Sequence, residues 1–318
     1  MDHFANIKKA FELTWKYKFM WFLGFIVAFF GQAPTFNNNI NLSEDNPSRV
    51  TEILNPILSW WNSMNPTLHL IIVIVSVLFF LTFSILIMYL VARSEAALVN
   101  SVTEINDGKH VDLGKAWKLG GPKSWNLVGQ KLLLNLPLTL ISLVILAISI
   151  LVFLGTFKSD LSNIDELIAS PLSLLFLLFT CLFVFIAFIY SVITGVLYTF
   201  SSRISVIQDK GIVASIKLSY AFITKNLSEL FMSWIFNLIV MIPVSIIVGI
   251  ISFLVMLILF IPVFLALMTL MLTNIFLFVA AVIILGLVTQ FFGSMIGGFF
   301  SAFGSAYWTI VYTSLEKK

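Results

Sequence analysis

The chain has 318 residues, of which 60% are hydrophobic and only 10% are charged, and its formal net charge is +3. Soluble domains carry about 25% charged residues, and a water-soluble fold of this length could not bury so much apolar surface. The composition therefore excludes a soluble globular protein and predicts an all-α integral membrane helical bundle, and the small net charge argues against nucleic acid as a partner.

Six apolar segments are candidates to cross the hydrocarbon core of a bilayer, which takes about 20 residues in a helix. Between Glu229 and Glu316 there is no Asp, Glu, Lys, Arg or His, and two long helices or four short spans fit this stretch by length. We favour two, because no cluster of turn residues divides either half cleanly. The six segments are 19–33, which is short, 67–92, 125–157, 172–200, 227–261 and 274–313.

The positive charges predict the orientation of these segments. In a six-span topology, sixteen of the eighteen Lys and Arg residues lie on one side of the membrane, and only Arg49 and Lys158 lie on the other. Because cytoplasmic loops are enriched in Lys and Arg, both termini are predicted to be cytoplasmic.

The residues before the first segment predict an amphipathic helix in the lipid headgroup layer. Phe4, Ile7, Phe11 and Trp15 recur at spacings of three and four, so they share one face of a helix, while lysines occupy another. Such a helix places its aromatic side chains in the membrane and its lysines near anionic lipid.

Residues 108–134, GKHVDLGKAWKLGGPKSWNLVGQKLLL, form a basic and glycine-rich stretch that allows two interpretations. A phosphate-binding loop needs G-x-x-x-x-G-K-[ST] between a strand and a helix, and neither the order nor the context matches here. We favour an interfacial helix that breaks at the Gly-Gly-Pro of 120–122, because proline cannot continue it. Trp125 then lies where aromatic belts form at the membrane surface.

Lys131 is the one lysine or arginine that the sequence places inside a predicted span. It lies six residues past Trp125, about 9 Å along a helix, so its ammonium group can extend back to the cytoplasmic headgroups. The alternative is a contact with a lipid phosphate in a basic pocket between spans.

Asparagine and proline recur together in two predicted spans, as Asn135 with Pro137 and Asn237 with Pro243. Proline leaves a backbone carbonyl without its helical partner, and an asparagine or another helix can bond to it. A kinked packing site is favoured over a substrate site formed by broken helices, because no acidic residue accompanies the pairs.

The last segment carries GSMIGGFFSAFGSAYW at 293–308, in which small residues recur four positions apart. Small residues at this spacing let two helix backbones approach closely, within the bundle or between subunits, and we favour packing within the bundle. An adjacent stripe consists of Gly298, Ala302 and Ala306. The main stripe consists of Gly293, Gly297, Ser301 and Ser305.

Three stretches of roughly 100 residues share an order of features, and we interpret them as repeats 1–109, 110–211 and 212–318 of a single transmembrane domain. A Lys-Ala-aromatic triplet at 9–11 matches the triplet at 115–117, and each is followed by lysines and a span. Each repeat is predicted to consist of a cytoplasmic amphipathic helix, a span, an outer loop and a returning span. The fold class is therefore a bundle of about six transmembrane helices in three hairpin-like repeats.

The run ALVNSVTEINDGK at 97–109, with hairpins that end in short Asp/Lys turns, resembles uncharacterised prokaryotic polytopic membrane proteins. Among these is the membrane domain fused to some glycerophosphodiester phosphodiesterases, and the resemblance covers residues 93–245. It implies an all-helical module of the prokaryotic inner membrane with a lipid-related role. It does not imply phosphodiesterase activity, because no segment has the strands, acids and histidines of the soluble catalytic barrel.

No set of residues predicts catalysis, a metal or a cofactor. His3, His69 and His110 lack the spacing of metal ligands, and no G-x-S-x-G motif is present. We therefore expect a non-enzymatic inner-membrane module that interacts with membrane lipids or organises a protein partner. The alternative is a transporter or channel for an apolar or zwitterionic substrate, which internal repeats favour. The predicted lipid or ligand contacts are Trp125, Lys131, Asn135 and Asn237.

The orientation predicts which positions an impermeant thiol reagent reaches in intact cells. Asn38→Cys and Ser162→Cys should react above the level of the parent chain, whose single cysteine is Cys181, because both lie in outer loops. Gly211→Cys should not react, because this position lies in the cytoplasm. Labelling of Gly211→Cys in intact cells would overturn the orientation.

Overall fold

A computed structural model describes residues 1–31, 55, 59–61, 63–157, 171–273 and 275–317. Within these residues every regular element is helical, so the all-α prediction is confirmed there, whereas the outer-loop positions Asn38 and Ser162 lie outside them. A 3₁₀ turn, Gly121–Lys123, follows the fourth helix. The α-helices are α1 His3–Lys16, α2 Phe19–Gly31, α3 Pro66–Asn106, α4 Leu113–Gly120, α5 Ser124–Phe157, α6 Pro171–Ile207, α7 Ile212–Lys225, α8 Leu227–Thr273 and α9 Ile275–Glu316.

Five helical segments in the described part of the chain are long and apolar enough to cross a membrane. They lie in α3, in the run Leu113–Ser149 that contains α4 and most of α5, and in α6, α8 and α9. The short helices α1 and α2 meet at a bend of 99° and make a sixth span if the bent pair is counted as one. The stretch without charged residues contains two long helices, α8 and α9, and not four short ones. The membrane topology itself stays a prediction.

The helices pack against one another at one end of the bundle. In α3 the apolar side chains of residues 68–86 are largely exposed, whereas Val91, Ala96, Leu98 and Val102 are buried. The buried residues of α6 and α9 likewise lie near their carboxyl ends, and those of α5 lie near its amino end. We call this end the packed base, and it comprises α1, α2, α4 and α7 with the adjoining ends of the five long helices.

The three helices that close the predicted repeats, α3, α6 and α9, contact one another in the packed base. Each short amphipathic helix lies against one of them, because α1 packs on α9, α4 packs on α3 and α7 packs on α6. The pairing of a short helix with a closing helix therefore occurs three times. In one of the three pairs it joins α9, the last long helix, to α1, the first short one. A cyclic arrangement of three repeats would have this pattern, and the repeat itself stays a prediction.

α2 and α9 approach each other backbone to backbone. A Cβ atom added at Gly24 would overlap the carbonyl oxygen of Gly298, and one added at Gly298 would lie 2.8 Å from the amide nitrogen of Phe25. Real Cβ atoms do not come this close to backbone atoms, so the crossing of these helices requires glycine at both positions.

This approach follows the stripe of small residues that contains Gly298. In the neighbouring stripe, a Cβ atom added at Gly297 would lie 3.1 Å from the Cβ of Ala28, whereas one at Gly293 would meet no atom within 4 Å. Ser301 and Ser305 are half-buried. The contact is thus made within one chain, with Gly297 at its edge and Gly293 outside it.

Gly298→Ala should lower the melting temperature of the detergent-solubilised protein, because the added methyl group has to push two backbones apart. Overpacking of a tight contact costs about 1–3 kcal/mol. Gly293→Ala is the matched control, since it gains the same helix propensity, about 1 kcal/mol, without a new contact. It should leave the melting temperature unchanged or raise it, and equal melting temperatures of the two variants would contradict the proposed contact.

Candidate functional site

A cluster of polar side chains lies where α3, α5 and α6 meet. The hydroxyl of Tyr198 on α6 donates a hydrogen bond to Glu95 on α3, and the other carboxylate oxygen lies 3.6 Å from Nζ of Lys131 on α5. That Nζ also lies 5.4 Å from the centre of the Tyr198 ring. Glu95 and Lys131 remain partly exposed, so the pair connects three helices at the boundary between buried and exposed surface.

Arg203 extends the cluster to α9 and is buried, with 7% of its surface exposed. Its Nη1 donates to the carbonyl of Thr199 and to the hydroxyl of Ser202, and its Nη2 donates to the carbonyl of Ser305 at 3.4 Å. Its Nε has no partner. All of these acceptors are neutral, and no carboxylate of the described residues forms an ion pair with this guanidinium.

Further buried donors lie on the same helices. The hydroxyl of Ser201 donates to Oε1 of Gln130 at 2.9 Å, and both side chains are fully buried. Nε2 of Gln130 and the hydroxyl of Ser94 have no partner. A buried polar group without a partner costs about 1–3 kcal/mol, so such groups commonly bind an ordered water or a ligand.

The sequence identified Lys131 but missed Glu95 and Arg203. We predicted spans that end at residues 92 and 200, which placed both residues in cytoplasmic segments, whereas α3 and α6 continue unbroken to Asn106 and Ile207. A signal was present, because neither continuation contains glycine or proline and both keep small or apolar residues between their polar ones.

The other predicted contacts lie apart from this cluster. Trp125 is exposed near the start of α5, and its ring centre lies 5.0 Å from that of Tyr89. Asn135 is exposed on α5, whereas Asn237 is half-buried on α8 and its Oδ1 has no partner. In the described part of the chain, α5 and α8 are not a closely packed pair, so the two asparagines do not form one site.

The glycine-rich stretch forms a connection between two helices that is fixed on α3. A Cβ atom added at Gly120 would overlap the carbonyl oxygen of Arg93. Nε of Arg93 donates to the carbonyl of Trp117 at 3.2 Å, and its guanidinium lies 4.5 Å from the centre of the Trp117 ring. Gly121–Lys123 then leads directly into α5. The backbone keeps helical dihedral angles at Gly120, Gly121 and Ser124, so the predicted break is only a 3₁₀ turn within one helical run, Leu113–Ser149.

The short helices place lysines on the exposed side of the packed base. Lys16 on α1, Lys118 on α4 and Lys217 on α7 are all exposed. Between α3 and α4, Nζ of Lys109 donates to Glu104 at 2.7 Å, and this hydrogen bond raises the pKa of Lys109. Lys109 therefore stays protonated and paired with Glu104 over the physiological pH range.

α1 differs from its prediction in one respect. Phe4, Phe11 and Trp15 are largely exposed, but Ile7, which the spacing placed on the same face, is buried against the bundle with Ala10. The helix therefore has a buried face, an aromatic face beside it, and a lysine face on the far side.

The histidines of the described part do not form a metal site, since no group of three or more His, Cys, Asp or Glu could hold an ion there. Nδ1 of His3 lies 3.1 Å from the hydroxyl of Ser233, and the ring of His69 stacks on Trp61. Both rings therefore contribute to packing between elements.

Comparison with known proteins assigns the chain a family but no activity. Residues 1–318 match DUF7544, a family of unknown function. No curated protein and no solved structure matches the chain. The family match gives no link to the glycerophosphodiester phosphodiesterases.

Tyr198→Phe should lower the melting temperature of the solubilised protein, because it removes only the hydroxyl that donates to Glu95. A hydrogen bond to a charged group contributes about 1.5–3 kcal/mol, and partial exposure of Glu95 favours the lower value. Tyr220→Phe makes the same change on an exposed side chain of α7 and should have no effect. Equal melting temperatures of the two variants would show that the bond to Glu95 does not stabilise the contact between α3 and α6.

Proposed function

The chain belongs to DUF7544, a family of unknown function, and we propose that it is a non-enzymatic membrane module that binds lipid of the cytoplasmic leaflet through its packed base. In this proposal the long helices cross the inner membrane of a prokaryote and both termini are cytoplasmic. The observation that carries it is the set of three amphipathic helices, α1, α4 and α7, each held against a long helix with exposed lysines.

The surface of α1 supports a position in the headgroup layer. Its exposed Phe4, Phe11 and Trp15 adjoin the buried face, and Lys8 and Lys16 lie beyond them. This order lets aromatic rings enter the membrane surface while the ammonium groups remain at the level of lipid phosphates.

The distribution of charge supports both the orientation and the preference for anionic lipid. Residues 32–54 and 158–170 together carry two Lys or Arg and six Asp or Glu, whereas the rest of the chain carries sixteen and nine. An excess of Lys and Arg marks the cytoplasmic side. Each such residue near an anionic leaflet contributes about 1 kcal/mol of attraction.

Among the individual contacts, Trp125 and Lys131 fit this proposal through their positions. Trp125 is exposed at the start of a predicted span, where an indole ring suits the membrane interface. Lys131 is partly exposed beside Glu95, within reach of a headgroup. Asn135 and Asn237 stay predicted contacts.

A transporter for a zwitterionic substrate is the second candidate. Glu95, Lys131 and Arg203 favour it, because ionisable groups within membrane-crossing helices often line pathways. Protein-dependent flux of such a solute in proteoliposomes would establish transport, and lipid binding alone does not require it.

Phosphatidylglycerol should raise the melting temperature of the detergent-solubilised full chain more than phosphatidylcholine with the same acyl chains. Added salt should reduce the difference, because it screens exposed charges. A triple variant, Lys16→Gln, Lys118→Gln and Lys217→Gln, should lose most of the preference and keep its melting temperature without lipid. An equal effect of the two lipids on the parent chain would refute the electrostatic part of the proposal.

A further inference from the structure

Among the residues that the structure describes, Arg203 is a buried cation without a counter-ion in contact. A charge removed from water is costly unless it is paired or fully hydrogen-bonded. Glu95 attracts the guanidinium electrostatically, but its two oxygens are already engaged, one with Tyr198 and one with Lys131. The nearby charges of Lys131, Arg203 and Glu95 therefore leave an excess of one positive charge.

Two buried hydrogen-bond donors on α5 and α6 lack an acceptor among the described residues. Nε of Arg203 and Nε2 of Gln130 are obligate donors, both are buried, and neither has a partner. An ordered water could accept a hydrogen bond from Nε, but it would leave the positive charge uncompensated. An anion with several acceptor oxygens supplies both the missing acceptor and the missing charge.

Open space lies on α9 beside the backbone that Arg203 contacts. Gly304 on α9 directly precedes Ser305, whose carbonyl Arg203 contacts, and a Cβ atom added at Gly304 would meet no atom within 4 Å. The same is true of Gly195, two turns before Arg203 on α6. Within the described residues, α6 and α8 are not a closely packed pair, whereas α3 packs with α5 and α9 packs with α2.

We propose that Arg203 anchors a phosphate group that enters between α6 and α9 past Gly304. The planar guanidinium matches the geometry of phosphate oxygens, and Nε and an Nη can donate to two of them in parallel. The headgroup of a phospholipid is the source that the open space beside Gly304 favours, and free phosphate is the other source of the same chemistry. This site goes beyond the proposed function, because it binds one ligand at a fixed place and does not depend on the exposed lysines.

Native mass spectrometry of the delipidated full chain in a neutral detergent tests the site. The probes are phosphatidylglycerol, a diacylglycerol with the same acyl chains but no phosphate, and inorganic phosphate. The parent chain should retain one phosphatidylglycerol and no diacylglycerol. Arg203→Gln should bind phosphatidylglycerol at least about tenfold more weakly, whereas Arg93→Gln, which removes a guanidinium that stacks on Trp117, should bind it like the parent chain.

A second variant tests the approach path without changing Arg203, in case Arg203→Gln does not fold. Gly304→Leu fills the open space on the proposed path and should weaken binding of phosphatidylglycerol, while Gly293→Leu fills open space elsewhere on α9 and should not. Arg203-dependent binding of inorganic phosphate without lipid binding would support the anion site and assign it to free phosphate.

The proposal is overturned if diacylglycerol and phosphatidylglycerol bind equally to the parent chain, or if no phosphate probe binds. Binding by Arg203→Gln or Gly304→Leu that equals the parent chain would also overturn it. The triple lysine variant separates the two proposals, because it should lose the general preference for anionic lipid and keep the single Arg203-dependent site.

Discussion

Close contact between helix backbones is the interaction on which the packed base depends. In lipid, apolar side chains gain little by packing against another helix instead of against acyl chains, so association needs close van der Waals contact or hydrogen bonds. Gly24 and Gly298 allow close van der Waals contact between α2 and α9, and Gly120 allows the same contact between α4 and α3. Where such residues are absent, as along residues 68–86, the side chains stay exposed and face the surrounding medium.

The same constraint brings the amphipathic helices and the polar cluster to one end of the bundle. Helices that touch only near their ends hold buried polar groups only there, and Glu95, Lys131 and Arg203 lie at this level. The short helices lie at the same level because they pack on the buried parts of α3, α6 and α9. A fixed ligand at Arg203 and a diffuse attraction of lipid to surface lysines would therefore act at one depth in the membrane.

Composition and periodicity predicted the helices well, because an apolar chain in lipid must satisfy its backbone hydrogen bonds within each helix. They predicted the all-helical fold and the two long helices α8 and α9, whereas the predicted break at Gly120 is only a 3₁₀ turn within a continuous helical run. Composition and periodicity did not predict the structural features that depend on which helices pack together. The tight contact runs through Gly298 and not Gly293, and Ile7 and Arg203 are buried. These features follow from which helices pair, and hydropathy does not encode helix pairing.

The contact of α1 with α9 joins two parts of the packed base that are far apart in the sequence. α4 and α7 pack on the helices that directly precede them in the chain, whereas α1 and α2 pack on the last helix described. Contacts between distant parts of a chain form late, because the loop-closure entropy must be overcome first. Until α9 is in place, the glycine face of α2 lacks the backbone on which it packs, and α1 lacks its most extensive contact. The Gly24–Gly298 contact is therefore the step that completes the base, and the cluster around Arg203, which needs Ser305 of the same helix, is completed with it.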